Sequence, residues 1–235
     1  MKRYIIFYIL CALACTNCGE RVYYDERVHY DEESNYFGKS LEECLQEGNL
    51  IYYTTSDNQK IDIDSTDFNA SIISHIYTNG QWIIFFNYPI TSIGDDAFAY
   101  CKSLTSVTIP DSVTKIGYYA FYRCISLTSV TIPDSITSIG YEAFYYCTSL
   151  KSVTIPDSVT SIGNYAFDGC TSLTSVYCKA KTPPTAGGYD MFSYYSNGYY
   201  KPIGCKIYVP RNSVEAYKSA DGWKNYADYI VGYDF

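Results

Sequence analysis

Between residues 90 and 178 the apolar positions recur with a fixed step of 23 residues. Phe98, Phe121, Phe144 and Phe167 stand at that step. Cys101, Cys124, Cys147 and Cys170 keep it, as do Leu104, Leu127, Leu150 and Leu173, and Gly94, Gly117, Gly140 and Gly163. Each copy reads Ile-Gly-x-x-Ala-Phe-x-x-Cys-x-Ser-Leu-x-Ser-Val. A strict period in the twenties predicts a solenoid of stacked units, each burying its apolar face only against its neighbours.

The pattern inside one copy predicts its elements. Val107-Thr108-Ile109 alternates with period two, so Val and Ile face inward and Thr outward. Pro110 lacks an N–H and ends the strand, and Pro110-Asp111-Ser112 makes a turn. Val113–Ile116 starts a second short extended piece, and Gly117 permits a sharp corner. Ala120, Phe121 and Cys124 then follow at helical spacing, which predicts one or two helical turns per repeat.

Before the repeats, Ile51–Thr55 reads as a strand. Ile76-Tyr77-Thr78, Asn79-Gly80 and Gln81–Phe86 read as a β-hairpin, since Asn-Gly accepts the positive φ angles of a type I′ turn. Stepping back 23 from Val107 and Ile109 reaches Ile84 and Phe86, which makes Gln81–Gly94 half a repeat. After Cys178 the period breaks, and Ile207-Tyr208-Val209-Pro210 resumes the strand-then-proline pattern. The Gly/Tyr/Ser-rich stretch 187–204 is the expected insertion. Asn212 to Glu215 is spaced like a capping box, with short helices expected at 214–218 and 223–230.

Leu-x-x-Val-x-Ile resembles the strand of leucine-rich repeats. The fuller pattern of Leu, Val, Ile-Pro, Val/Ile-Ile-Gly and Ala-Phe-x-x-Cys is similar to the BspA-like subclass of bacterial and protist surface proteins. The resemblance implies a leucine-rich repeat solenoid: a β-rich right-handed coil of short strands, closed by a β-hairpin region and a C-terminal helical segment. It also implies a surface or secreted adhesin or interaction protein that is not an enzyme.

The N-terminus adds a location. Lys2 and Arg3 precede an apolar run from Tyr4 to Ala14, which describes a signal peptide too short to span a bilayer. Ala12-Leu13-Ala14-Cys15 resembles a bacterial lipobox, which makes Cys15 the lipidation site and the chain an exported, outer-membrane or cell-surface lipoprotein. The alternative is plain secretion. The acidic stretch that follows is read as a solvated tether, and 40–46 as a short helix. The resulting division is a signal peptide (1–14), an acidic tether (15–40), an N-terminal cap with hairpin and half repeat (41–89), four repeats (90–178), and a C-terminal cap with insertion (179–235).

Composition narrows the function. A net charge of −8 argues against nucleic acid and anionic membrane surfaces, leaving the lipid anchor as the only membrane attachment. The cysteine ladder suits neither a metal nor bridges: ligands in a line do not wrap an ion, and side chains in register do not converge. It is read as buried free thiols, while Cys178 and Cys205 stand apart and are candidates to pair across the insertion. His29 and His75 are the only histidines, and no phosphate loop or dinucleotide fingerprint occurs. The reading is a non-enzyme with no cofactor and no metal.

Two outward ladders remain. One is polar, with Ser106, Ser129, Ser152 and Ser175 beside Thr108, Thr131, Thr154 and Tyr177. The other gathers Tyr118, Tyr119, Tyr122, Arg123, Tyr141, Tyr145, Tyr146 and Tyr165 around the turn that follows Gly. The chain holds 29 tyrosines, and clustered Tyr and Arg are typical of hot spots, so this second ladder is the candidate binding surface. The expected partner is a protein on a host or neighbouring cell; the alternatives are a glycan, or no ligand at all. Asp-Ser-Val/Ile at Asp111, Asp134 and Asp157 also resembles an O-glycan acceptor motif of exported Bacteroidetes proteins, although the turn role alone accounts for it.

Overall fold

The computed structural model describes residues 49–63, 67–187 and 190–235. The signal peptide, Cys15, the tether, His29 and the 40–46 helix lie outside the described residues.

The described chain is strand-rich with few helices. It opens with β1 (Leu50–Thr55), β2 (Ile72–Thr78) and β3 (Gln81–Phe86). The repeats then alternate short and longer strands: β4 (Ser92–Ile93), β5 (Leu104–Thr108), β6 (Lys115–Ile116), β7 (Ser129–Thr131), β8 (Ser138–Ile139), β9 (Ser152–Ile155), β10 (Ser161–Ile162) and β11 (Ser175–Cys178).

The short strands pair in parallel, in register, one repeat apart: Ile93 with Ile116, Ile116 with Ile139, and Ile139 with Ile162. The longer strands do likewise in two groups, Val107 with Val130 and Val153 with Val176, and the sheet divides between β7 and β9. Inward Val107, Ile109, Val153 and Ile155 are buried, and outward Thr108 and Thr154 are exposed, as alternation requires.

The half repeat is corrected. β3 does not stack on β5; β1 runs antiparallel between them, with Ile84 opposite Ile51 and Val107 opposite Tyr53. Only the second half of the assignment, Ser92–Ile93, joins the parallel ladder. An antiparallel strand ends the repeat sheet with a different edge, and period counting cannot reveal a strand inserted from elsewhere in the chain.

The helical turns are corrected as well. The stretch from Gly to Cys is a run of turns in which Tyr119 and Arg123 have φ of 56° each. Equivalent left-handed residues are Asp96 and Tyr100, Glu142 and Tyr146, and Tyr165 and Gly169. Two left-handed residues four apart preclude a right-handed helix. Their amides are committed elsewhere: the N–H groups of Tyr119, Phe121 and Arg123 donate to the carbonyls of Tyr141, Ala143 and Tyr145 in the next repeat. The turns therefore form a third inter-repeat hydrogen-bond ladder.

Under that ladder the rings of Phe98, Phe121, Phe144 and Phe167 stack face to face, 5.0–5.1 Å apart and within 6° of parallel. Leu104, Leu127 and Leu150 are fully buried beside them. The repeat glycine serves close approach rather than a corner: its φ is not positive, but a Cβ on Gly140 would lie 2.4 Å from the Gly117 carbonyl oxygen.

The chain after Cys178 continues the same architecture. β12 (Thr185–Ala186) extends the short-strand ladder, and Phe192 adds a ring to the phenylalanine stack, 5.5 Å from Phe167. A hairpin of β13 (Ser193–Ser196) and β14 (Tyr199–Pro202) follows, holding most of the extra residues. β15 (Lys206–Pro210) then pairs with β11. A 3-10 turn over Arg211–Ser213 leads into α1 (Val214–Ser219), and a second 3-10 stretch spans Lys224–Tyr229. The Asn212–Glu215 capping box does not form. The chain is already coiled on entering α1, and no side-chain cap bond is made. Finally β16 (Ile230–Tyr233) pairs in parallel with β15, Ile230 against Ile207, restoring the step of 23 in place of the expected end of a helix.

Candidate functional site

The turn ladder decides which side chains reach the surface. In Gly-x-x-Ala-Phe-x-x-Cys, Ala and Phe point into the core, and the four x positions are exposed or partly exposed in the first three repeats; in the fourth, Asp168 and Gly169 are buried. Stacking places each x beside its equivalent in the next repeat, so a tyrosine copied between neighbours becomes a contiguous aromatic surface.

The structure brings together seven of the eight candidate residues. Tyr122 and Tyr145 stack at 5.2 Å, 6° from parallel. Tyr119 meets Tyr122 and Tyr141 edge-on, Tyr141 meets Tyr165, and Tyr145 meets Tyr146. The Arg123 guanidinium lies over the Tyr122 ring at 5.5 Å and over the Tyr146 ring at 5.4 Å, a pair of cation–π contacts. Tyr118 stands apart. It is 51% exposed and receives Lys115 over its ring at 5.6 Å.

Three members fall outside the candidate set. Tyr100 packs edge-on against Tyr122, Tyr200 of the β13–β14 hairpin covers Tyr165, and Tyr195 packs on Tyr200. Tyr100 was reachable by counting back 23 from Arg123; Tyr195 and Tyr200 lie in the insertion, where no period indicates a neighbour.

The electrostatics keep this surface a set of donors. Burial and the nearby Asp168 carboxyl push Tyr145 up to about 12. A hydrogen bond to Glu142, and then burial, raise Tyr141, while burial and Glu142 raise Tyr119. These phenols carry their protons at neutral pH. The hydrogen bond that the Arg123 guanidinium donates to the Tyr122 hydroxyl raises Arg123 above its ordinary value.

At the C-terminal end of the surface one position breaks the pattern. Counting on by 23 from Tyr122 and Tyr145 reaches Asp168, which is 0% exposed, and neither carboxylate oxygen has a hydrogen-bond partner. Burial and then the Asp190 carboxylate push it up to about 7; the adjacent Gly169 amide eases the rise but donates to the Ser193 carbonyl.

The remaining sequence features resolve into structural roles. Cys124, Cys147 and Cys170 are free, buried thiols that donate to the carbonyls of Phe98, Phe121 and Phe144 in the preceding repeat, at 3.0–3.2 Å. Cys101 departs from this ladder. It has no such repeat before it and is only partly buried. Cys178 and Cys205 are both free, and the Cys178 thiol meets the Tyr217 hydroxyl instead. The Pro-Asp-Ser serines Ser112, Ser135 and Ser158 donate to the carbonyls of Ile90, Val113 and Ile136, so the fold already uses those hydroxyls. His75 is buried, with its Nε2 bonded to the Tyr53 hydroxyl and its ring edge-on to Trp82. On the polar ladder, Ser106 is taken up by Thr54, and Tyr177 stacks on Tyr208.

Parallel strands one repeat apart, with inward Leu, Val and Ile, define the leucine-rich repeat class. The model of the BspA type leucine rich repeat region matches residues 91–197 in six copies, and this region of the chain belongs to that family. The match runs beyond Cys178 into the hairpin, in line with β12 and Phe192 continuing the ladders. Similar solved structures include the pneumococcal vaccine antigen PcpA, at 21% identity and a TM-score of 0.45, covering 62% of this chain and 40% of that one. They also include a T. pallidum leucine-rich repeat protein at 33% and 0.33, covering 38% and 53%. A leucine-rich cell surface protein from Faecalibacterium prausnitzii is similar at 28% and 0.42, covering 72% and 43%. The chain thus spans about half or less of the length of these relatives. No curated protein matches the chain significantly.

Proposed function

We propose that this chain is a non-enzymatic binding protein of the bacterial surface, and that the Tyr–Arg surface on its repeat turns is where a protein partner docks. Membership of the repeat region in the BspA-type family supports a general role in adhesion or protein–protein interaction. In this reading the repeats wind as a right-handed solenoid between an N-terminal hairpin cap and a C-terminal helical cap. The polypeptide is exported through the 1–14 signal and held at the membrane by a lipid on Cys15.

One observation carries the choice of surface. The invariant Phe, Gly and Cys of the repeat each have a structural task in stacking, close approach or a carbonyl contact, whereas the contiguous tyrosines and Arg123 stand at the variable positions between them. Repeat proteins bind through such extended surfaces. A protein partner fits better than a glycan, because Tyr122 and Tyr145 spend ring faces on each other and leave fewer flat platforms for a sugar.

The test is a Tyr122, Tyr145 and Tyr146 to Ser variant assayed for capture of matrix or cell-surface proteins. Capture is expected to fall at least tenfold with an unchanged circular dichroism spectrum. A folded variant that captures as well as the parent removes the reading.

A further inference from the structure

Arg123 is the unusual member of the surface. Its equivalents one repeat away on either side are Tyr100 and Tyr146. The guanidinium lies over the rings of Tyr122 and Tyr146, with Tyr100 and Tyr145 packed against Tyr122, and among the described residues no ion pair joins it to a carboxylate. The nearby acids are otherwise engaged. Glu142 bonds to Tyr141 and Asp168 is buried beneath the surface. Two cations near the end of the chain are ion-paired, Arg211 with Asp234 and Lys224 with Asp221, each at 2.7 Å.

The two ring contacts also fix the guanidinium in place. An arginine held against two aromatic rings loses less freedom on binding than a free side chain, and its planar fork matches a carboxylate in bidentate geometry. The neighbouring Tyr145 phenol, which keeps its proton, can add a donor to the same anion. With no carboxylate paired to it among the described residues, such a group exchanges no ion pair there when a ligand arrives.

We infer that Arg123, held against the rings of Tyr122 and Tyr146, is the specificity-determining residue of the surface and receives a carboxylate side chain from an acidic segment of the protein partner. This rests on the surface reading above and adds the chemistry of its ligand.

The test uses the whole chain and a fluorescein-labelled decaglutamate peptide, with decaglutamine as control, read by fluorescence anisotropy. The net charge of −8 works against nonspecific attraction of the acidic probe. The parent is expected to prefer decaglutamate at least tenfold. R123Q is expected to lose that preference, and R123K to keep only part of it, since an ammonium lacks the fork. A chemical-shift change at the Arg123 Nε–Hε on adding decaglutamate to the parent is a second readout that needs no variant. Equal preference in R123Q, or no preference and no shift in the parent, overturns the inference. So does a result in which 3′-sialyllactose binds through Arg123 and decaglutamate does not, because the ligand is then an acidic glycan. Cell-surface capture separates the two levels. Capture that survives R123Q but not the triple tyrosine variant sinks the carboxylate inference alone, and capture that survives both sinks the surface reading as well.

Discussion

Replacing Asp168 should make the protein more stable at neutral pH and flatten its stability between pH 4 and 7. The carboxyl is 0% exposed, both its oxygens lack partners, and it is pushed from an ordinary 3.8 up to about 7. A raised carboxyl pKa means that the folded state holds the proton more tightly than the unfolded chain. The associated stability is therefore fully present below about pH 4 and is lost as pH rises to about 7. At about 1.36 kcal/mol per pH unit, a rise of roughly three units sets an upper bound near 4 kcal/mol. Relaxation and water entry around an ionised carboxylate reduce this, and about 2 kcal/mol is a realistic size. The groups facing Asp168 are Glu142 and Tyr145 of the preceding repeat, Asp190 and Tyr200 of the insertion, and Tyr226 of the 3-10 stretch. None is a cation that would reverse the sign. The assay is urea unfolding of the parent and Asp168→Asn at unit steps from pH 4 to 8. Taking the difference between the two proteins cancels the opposite contributions of Asp221 and Asp234, whose carboxyls their Lys224 and Arg211 partners hold below the usual range. The parent should lose about 2 kcal/mol or more relative to the variant between pH 4 and 7, with no further change above. A difference that stays flat, or that moves in the parent's favour as pH rises, would falsify the assignment.

Other outcomes follow from the ladders. Phe144→Ala removes the ring between Phe121 and Phe167 and should cost about 3–5 kcal/mol in urea unfolding. Gly140→Ala forces a methyl against the Gly117 carbonyl and should cost about 3 kcal/mol, while Gly198→Ala, with open space around it, should cost about 1 kcal/mol from its positive φ alone. Burial raises the Cys124 and Cys147 thiols, so at pH 8 a thiol reagent should leave both unmodified in the native protein. Partly buried Cys101, pushed up to about 11 by burial and then Asp62, should react first among the repeat cysteines.

Periodicity made the stack of Phe, Leu and Gly legible because a step of 23 repeats every contact together with every letter. It failed where a contact is not repeated. β1 enters the sheet from outside the period, and no residue in Ile51–Thr55 signals that it lies between β3 and β5. The helical turn was misread because Ala120, Phe121 and Cys124 have helical spacing, while the left-handed φ of Tyr119 and Arg123 leaves no trace in residue type. Glycine would have signalled it, and stands there only at Gly169. The cysteines were legible as buried thiols but not as donors to phenylalanine carbonyls, a pairing 26 residues apart that is visible only once the repeats are stacked. At the candidate surface the tyrosines could be placed together by counting, whereas Asp168 and the hairpin tyrosines needed coordinates: one is the pattern's exception, and the others lie where the count is broken.

The central claim is that recognition lies on the turn ladder rather than on the strand face. The most direct measurement places a photo-crosslinking amino acid at Tyr122 in one preparation and at Thr154, on the exposed strand face, in another, with each applied to intact cells and matrix. The account predicts a discrete crosslinked partner from position 122 and none from 154; crosslinks from 154 with none from 122 would contradict it.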